Sequence, residues 1–205
     1  MRLLTVAICC FFSAVAIAGG QPAAERLQAL LSPIESMQGD FQQSQYDQAG
    51  ERLQELDQNG QLQITRSGKI RWIVDGDYGQ QLVSDGTTLW LFDPDLEQVT
   101  IQAVNNDASA TPALLLMGNF EKLHASYRIQ QGADDNAFTL YPRQPESLYQ
   151  HINIRFSDGV PAALEITDNL GERTEITFQQ VTVNPDLDDN QFVFAVPEGV
   201  DVIYN

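Results

Sequence analysis

The feature that most constrains this chain is its period. Across most of its length the apolar residues recur at every second position, in short runs closed by turns carrying Gly or Asp. Leu62 and Ile64 lie on one side of such a run, and Gln61, Gln63 and Thr65 on the other. Ser67-Gly68 turns the chain, and Ile70, Trp72 and Val74 continue the apolar side opposite Lys69 and Arg71. Only extended backbone puts residues i and i+2 on one face, so the segment reads as a hairpin with one dry and one wet side. The pattern returns on both sides of Ser84-Asp85-Gly86, at 98–102, at Tyr127 and Ile129, at Phe138 and Leu140, and at Ile152, Ile154 and Phe156. It closes with Ala162, Leu164 and Ile166, then Thr174, Ile176 and Phe178, and a last run of Phe192, Phe194 and Val196. About eleven strands in an antiparallel meander must curl into a barrel or split into a sandwich.

Two segments depart from period two. Between Pro22 and Gln38, Leu27, Leu30, Leu31, Ile34 and Met37 are spaced by three and four, which predicts an amphipathic helix. Pro33 inside that stripe predicts a kink or two short pieces, and Gly39 ends it. Thr111-Pro112-Ala113-Leu114-Leu115-Leu116-Met117-Gly118 predicts a short helix with Thr as N-cap, Pro at the first helical position and Gly past the end. Three leucines and a methionine leave that helix little solvent-facing side.

The amino terminus has a different logic. Arg2, an apolar run from Leu3 to Ile17 and the small residues around Ala18 make residues 1–18 a cleaved secretory signal, leaving residues 19–205 as one domain. Both cysteines, Cys9 and Cys10, sit inside the apolar run rather than at the cleavage point, where a lipid anchor would need one. The mature chain is therefore expected to be exported, unanchored and free of disulfides.

Composition excludes several functions. With 28 acidic against 11 basic residues and a formal charge of −17, the chain has no basic cluster for nucleic acid. It lacks a Gly-rich phosphate loop, a Gly-x-Ser-x-Gly and a His-Glu-x-x-His. His124 and His151 read as surface or edge residues, and Asp186 to Asn190 lacks the central Gly and closing Glu of a calcium loop. The pairs Asp75 with Asp77 and Asp93 with Asp95 lie in turn-like sequence and do not suggest a glycosidase. No catalytic residue, metal site or cofactor is expected. What remains is apolar surface and one ambiguous cation. Arg66 shares a face with Leu62 and Ile64, where it either snorkels from its strand end or is held by a partner. Leu89-Trp90-Leu91-Phe92 is apolar on both faces, as a strand covered on both sides would be.

Several stretches together resemble a known family. They are Gly60-Gln61-Leu62-Gln63-Ile64-Thr65-Arg66 with Arg71-Trp72, then Leu82-Val83-Ser84-Asp85-Gly86-Thr87-Thr88-Leu89-Trp90, then Asp93-Pro94 and Glu97-Gln98-Val99. Thr111 to Leu116 and Phe192 to Val202 complete the set. In this order they resemble the LolA family of periplasmic outer-membrane lipoprotein carriers. The resemblance implies an incomplete antiparallel β-barrel around an apolar cavity with a helical lid. It implies a monomeric carrier in the periplasm of a Gram-negative bacterium, which takes acylated lipoproteins from the inner-membrane LolCDE transporter and passes them to the outer-membrane receptor LolB. Arg66 would latch the lid, with Ile64, Ile70, Trp72, Trp90, Leu114, Leu116 and Met117 as candidate cavity or lid contacts. Two positions depart from the family pattern: Ser67 stands where Pro is frequent, and Ile70 where an aromatic residue is. The amino-terminal half-barrel of the envelope-stress regulator RseB is a similar lipid-sensing module, but it is followed by a second domain. LolB would carry Cys where this chain has Gly19.

Overall fold

The computed structural model describes residues 22–104, 115–116 and 120–204. Its alternating segments are strands: β1 Ser36–Tyr46, β2 Gln58–Thr65, β3 Lys69–Val74, β4 Gln81–Asp85, β5 Thr88–Asp93 and β6 Gln98–Ala103. The second half adds β7 Tyr127–Gln131, β8 Ala137–Pro142, β9 Tyr149–Ser157, β10 Val160–Asp168, β11 Arg173–Val183 and β12 Asp201–Tyr204. They form one sheet in the order β12-β6-β5-β4-β3-β2-β1-β11-β10-β9-β8-β7. The chain thus runs outward from β1 to β6, restarts at the far edge with β7, and returns to pair β11 with β1. β12 and β7 do not meet, so the sheet is an open half-barrel, as the resemblance implies.

Residues paired across strands share a face, so the register separates the two sides of the sheet. One row runs Val183, Met37, Ile64, Ile70, Ser84, Leu89. A second runs Leu62, Trp72, Leu82, Leu91, Thr100, Ile203. Beyond β11 the same side continues through Phe138, Ile154, Leu164 and Ile176. This inner side carries the main core. Helix α1, Ala23–Leu31, lays Leu27 and Leu31 on it, and helix α2, Phe120–Ser126, adds Leu123.

Three expectations are corrected. The amino-terminal helix does not reach Gln38: it stops at Leu31, because Pro33 has no N–H with which to extend the ladder. Ile34 and Met37 are buried, as the helical stripe predicts, but Met37 lies in β1, opposite Val183 and Ile64. Gly39 ends no helix. It sits beside a register shift in β1, where a Cβ would come 2.8 Å from the Gln179 carbonyl oxygen.

The run of Phe192, Phe194 and Val196 is not a strand either. Asp189–Phe192 is a 3-10 turn, and the last strand is Asp201–Tyr204, parallel to β6 rather than antiparallel. The segment between β11 and β12 crosses the outer side of the sheet, tied by the Lys69–Asp189 ion pair. Finally, residues 120–126 form a helix for which the sequence supplied no expectation. The predicted helix at 111–117 falls largely outside the described residues, which include Leu115 and Leu116, both buried in the core.

Candidate functional site

Helix α1 ends with carbonyls that have no partner within the helix. The guanidinium of Arg66, one residue beyond β2, supplies one. Its Nη2 donates to the Leu31 carbonyl at 2.7 Å, to that of Ser32 at 3.3 Å, and to that of Ile34. A cation here meets both orphan acceptors and the negative end of the helix dipole. Nε lies 3.2 Å from the Glu35 carboxylate, an ion-pair separation without hydrogen-bond alignment. Arg66 neither snorkels freely nor lies in the core. It bridges the β2–β3 turn to the end of α1.

The same short loop is gripped from the other side by Asn184, which the sequence reading passed over. Its Nδ2 donates to the Pro33 carbonyl at 2.9 Å, and its Oδ1 accepts from the Glu35 and Ser36 amides at 2.7 and 3.3 Å. Asn184 has φ +55, a left-handed conformation that Asn tolerates better than most residues. At the opposite end of α1, Arg26 donates through Nη1 to Gln131 at 2.7 Å and to Asp135 at 3.2 Å, and through Nη2 to the Asp135 carbonyl. Leucines hold the helix to the sheet, and two arginines with one asparagine tie down its ends.

The remaining sequence candidates divide. Ile64, Ile70 and Leu116 are buried together in the core beneath α1, and Trp72 packs against them, its ring stacked on Phe41. Trp90 is not with them. Register places it beside Val83 and Ile101, on the outer side, where its ring and that of Phe92 pack against Phe194. This explains why β5 is apolar on both faces: Leu89 and Leu91 serve the inner side, Trp90 and Phe92 the carboxy-terminal segment. Leu114 and Met117 lie outside the described residues. The inner apolar side also runs past the helices to Leu91 and Ile203, both exposed.

The outer side is polar toward β8–β11. A groove of about 490 Å³ there is lined by residues including Thr139, Asn153, Glu165 and Glu175. Asn153 Nδ2 and Arg173 Nη1 each donate to Glu165 at 2.8 Å. Burial would raise the Glu165 carboxyl, but these bonds and the Arg173 charge together hold it below its ordinary range. The amide and carboxylate part of this lining contrasts with the apolar inner side of the sheet.

Residues 32–195 match the family model described as outer membrane lipoprotein carrier protein LolA. The chain belongs to the LolA family. Among its relatives, the outer-membrane lipoprotein carrier protein of Chromohalobacter salexigens is 41% identical over 182 residues, covering 88% of this chain and 86% of the relative. That of Pseudomonas aeruginosa is 39% identical over 205 residues, covering 99% and 98%. A solved LolA superfamily protein from Nitrosomonas europaea aligns at 14% identity with a TM-score of 0.49, over 85% of this chain and 99% of that one. LolA membership accounts for the order in which the motifs of β2–β6 follow one another.

Proposed function

We propose that this LolA-family chain carries acylated lipoproteins across the periplasm, accepting them from LolCDE and delivering them to LolB after residues 1–18 have been removed. The observation that carries this reading is the inner side of the half-barrel: a continuous apolar surface covered by a helix whose end is held by one arginine. Exposing apolar chain to water costs about 0.8 kcal/mol per methylene, so an acylated protein needs such a surface to leave a membrane. Leu27 and Leu31 occupy the surface when α1 is docked. Cargo must therefore displace them, and the affinity is the difference between two apolar contacts rather than the whole of one. Arg66 acts as the latch, adding a few kcal/mol of reversible hydrogen bonding that favours the closed form and so drives release. No group on this path needs to react, which agrees with a family of carriers rather than enzymes.

The test uses purified mature chain with spheroplasts. Wild type should release lipoproteins from the inner membrane into the soluble fraction and pass them to LolB. Arg66→Leu should still accept cargo and should retain it. An Arg66→Leu variant that hands over at the wild-type rate would end the latch role, and wild-type protein that releases nothing would end the carrier reading.

A further inference from the structure

The two edge strands of the sheet, β7 and β12, are finished differently. Helices α1 and α2 both pack against β7. Strand β12 has β6 on one side and, among the described residues, no strand on the other. It lacks the usual protections of an edge: Asp201-Val202-Ile203-Tyr204 holds no Lys, no Pro and no register shift against β6. Val202 is 39% exposed, Ile203 41% and Tyr204 77%.

The main chain of β12 is oriented by its first bond. The Asp201 amide donates to the Glu97 carbonyl at 2.9 Å, so Asp201 bonds toward β6. Successive residues of a strand turn their backbone groups to opposite sides, so Ile203 also bonds toward β6. The N–H and C=O groups of Val202 and Tyr204 then point out of the sheet. Such an edge is a template for one more strand.

Position selects the occupant. The inner row Trp72, Leu82, Leu91, Thr100 ends on β12 at Ile203, and Leu91 is 40% exposed. Acyl chains lying along this row leave the polypeptide they are attached to beside the free edge. That polypeptide begins at the acylated amino terminus as a tether without fixed structure. Backbone N–H and C=O groups are the same in every tether, so an edge can hold any cargo whatever its sequence. A second copy of this chain fits less well, since two chains of formal charge −17 would meet with an Asp201 on each edge.

We propose that the outward edge of β12 binds the amino-terminal tether of the lipoprotein cargo as an added strand, while the acyl chains occupy the inner side. The proposal rests on the carrier reading and deepens it. The half-barrel holds the lipid by apolar contact, and its β12 edge holds the first residues of the protein by main-chain hydrogen bonds.

The experiment uses the mature chain and three synthetic probes: a triacylated Cys alone, the same group followed by a short Ser/Thr/Val tether, and that lipopeptide with the tether N-methylated at alternate residues. In wild type the tether should tighten binding about tenfold and slow hydrogen exchange at the Val202 and Tyr204 amides. N-methylation should remove both effects. Val202→Pro deletes an outward N–H and spares the bonds to β6, as Pro on an edge strand does. In that variant the difference between the tethered and tetherless probes should vanish. The N-methylated probe tests the edge on unaltered protein, so the proposal does not depend on the Pro variant folding. A tether that adds nothing to wild-type binding overturns the edge site, as does a gain that survives N-methylation. A concentration-dependent wild-type dimer that Val202→Pro dissociates would give the edge to a second copy and also overturn it. Wild type that binds none of the probes overturns the carrier reading, which is distinct from binding the acylated Cys without gain from the tether.

Discussion

The ring of Phe41 stacks on that of Trp72 with centroids 3.9 Å apart, and it does so across Gly60. Gly60 faces Phe41 in the β1–β2 register and Val74 in β3. A Cβ there would lie 2.1 Å from the Ile73 carbonyl oxygen and 2.6 Å from Cζ of Phe41. The first clash is with backbone, so no rotamer change relieves it. Gly60→Ala should therefore cost at least about 2 kcal/mol, through a strained β2–β3 pairing and a displaced ring. Urea unfolding measures the loss, and near-UV circular dichroism should show an altered tryptophan environment. An unchanged midpoint would contradict the packing described.

Asn184 holds the loop after α1 with three side-chain hydrogen bonds at a positive φ. Asn184→Ala loses the bonds and adds left-handed strain, for an expected cost of about 2–3 kcal/mol. Asn184→Gly relieves the strain alone and should recover roughly 0.5–1 kcal/mol of that. Hydrogen exchange at the Glu35 and Ser36 amides, protected by this side chain, should accelerate in both variants.

These residues show where the sequence was legible. β2, β3 and β6 could be read because each alternates, and β4 and β5 because the turns that bound them carry Gly or Asp. β1 could not: Gln38-Gly39-Asp40-Phe41-Gln42-Gln43-Ser44-Gln45 has few apolar residues, and its register shift hides their period. Its strand character comes from partners on both sides, β2 and β11, rather than from its own pattern. The β12 pairing was hidden for a related reason, since a parallel partner reached by a long crossing leaves no local turn signal. At the site, the sequence placed Ile64, Ile70 and Trp72 correctly on one face. It could not sort Trp90 from them, because β5 is apolar on both sides. Asn184 gave no signal, since an asparagine before a proline reads as any turn.

The sidedness of the two tryptophans is itself testable. Phe194→Ala removes the cover from Trp90 and Phe92 on the outer side. It should destabilise the carboxy-terminal crossing by about 1–2 kcal/mol while leaving bis-ANS or acyl-peptide binding unchanged. Trp72→Ala opens the inner side and should change that binding. Equal effects of both variants on ligand uptake would mean that the two faces are not separated as the register requires.

The Glu165–Arg173 pair makes a pH-dependent prediction. Hydrogen bonds from Arg173 and Asn153, with the Arg173 charge, outweigh burial and keep the Glu165 carboxyl below its ordinary value of 4.5. A carboxylate depressed in the folded state stabilises fully above its unfolded value and loses that contribution as pH falls through the folded one. Both side chains are about one third exposed, so solvent screening limits the pair to about 1 kcal/mol. Arg173→Met should therefore be about 1 kcal/mol less stable than wild type at pH 7, and the gap should narrow as pH falls below the carboxyl's ordinary value and Glu165 protonates in both proteins. Urea midpoints at pH 7 and pH 3 measure it. A gap of equal size at both would assign the effect of Arg173 to its packing on the Tyr46 ring, 3.9 Å from the guanidinium carbon, rather than to its charge.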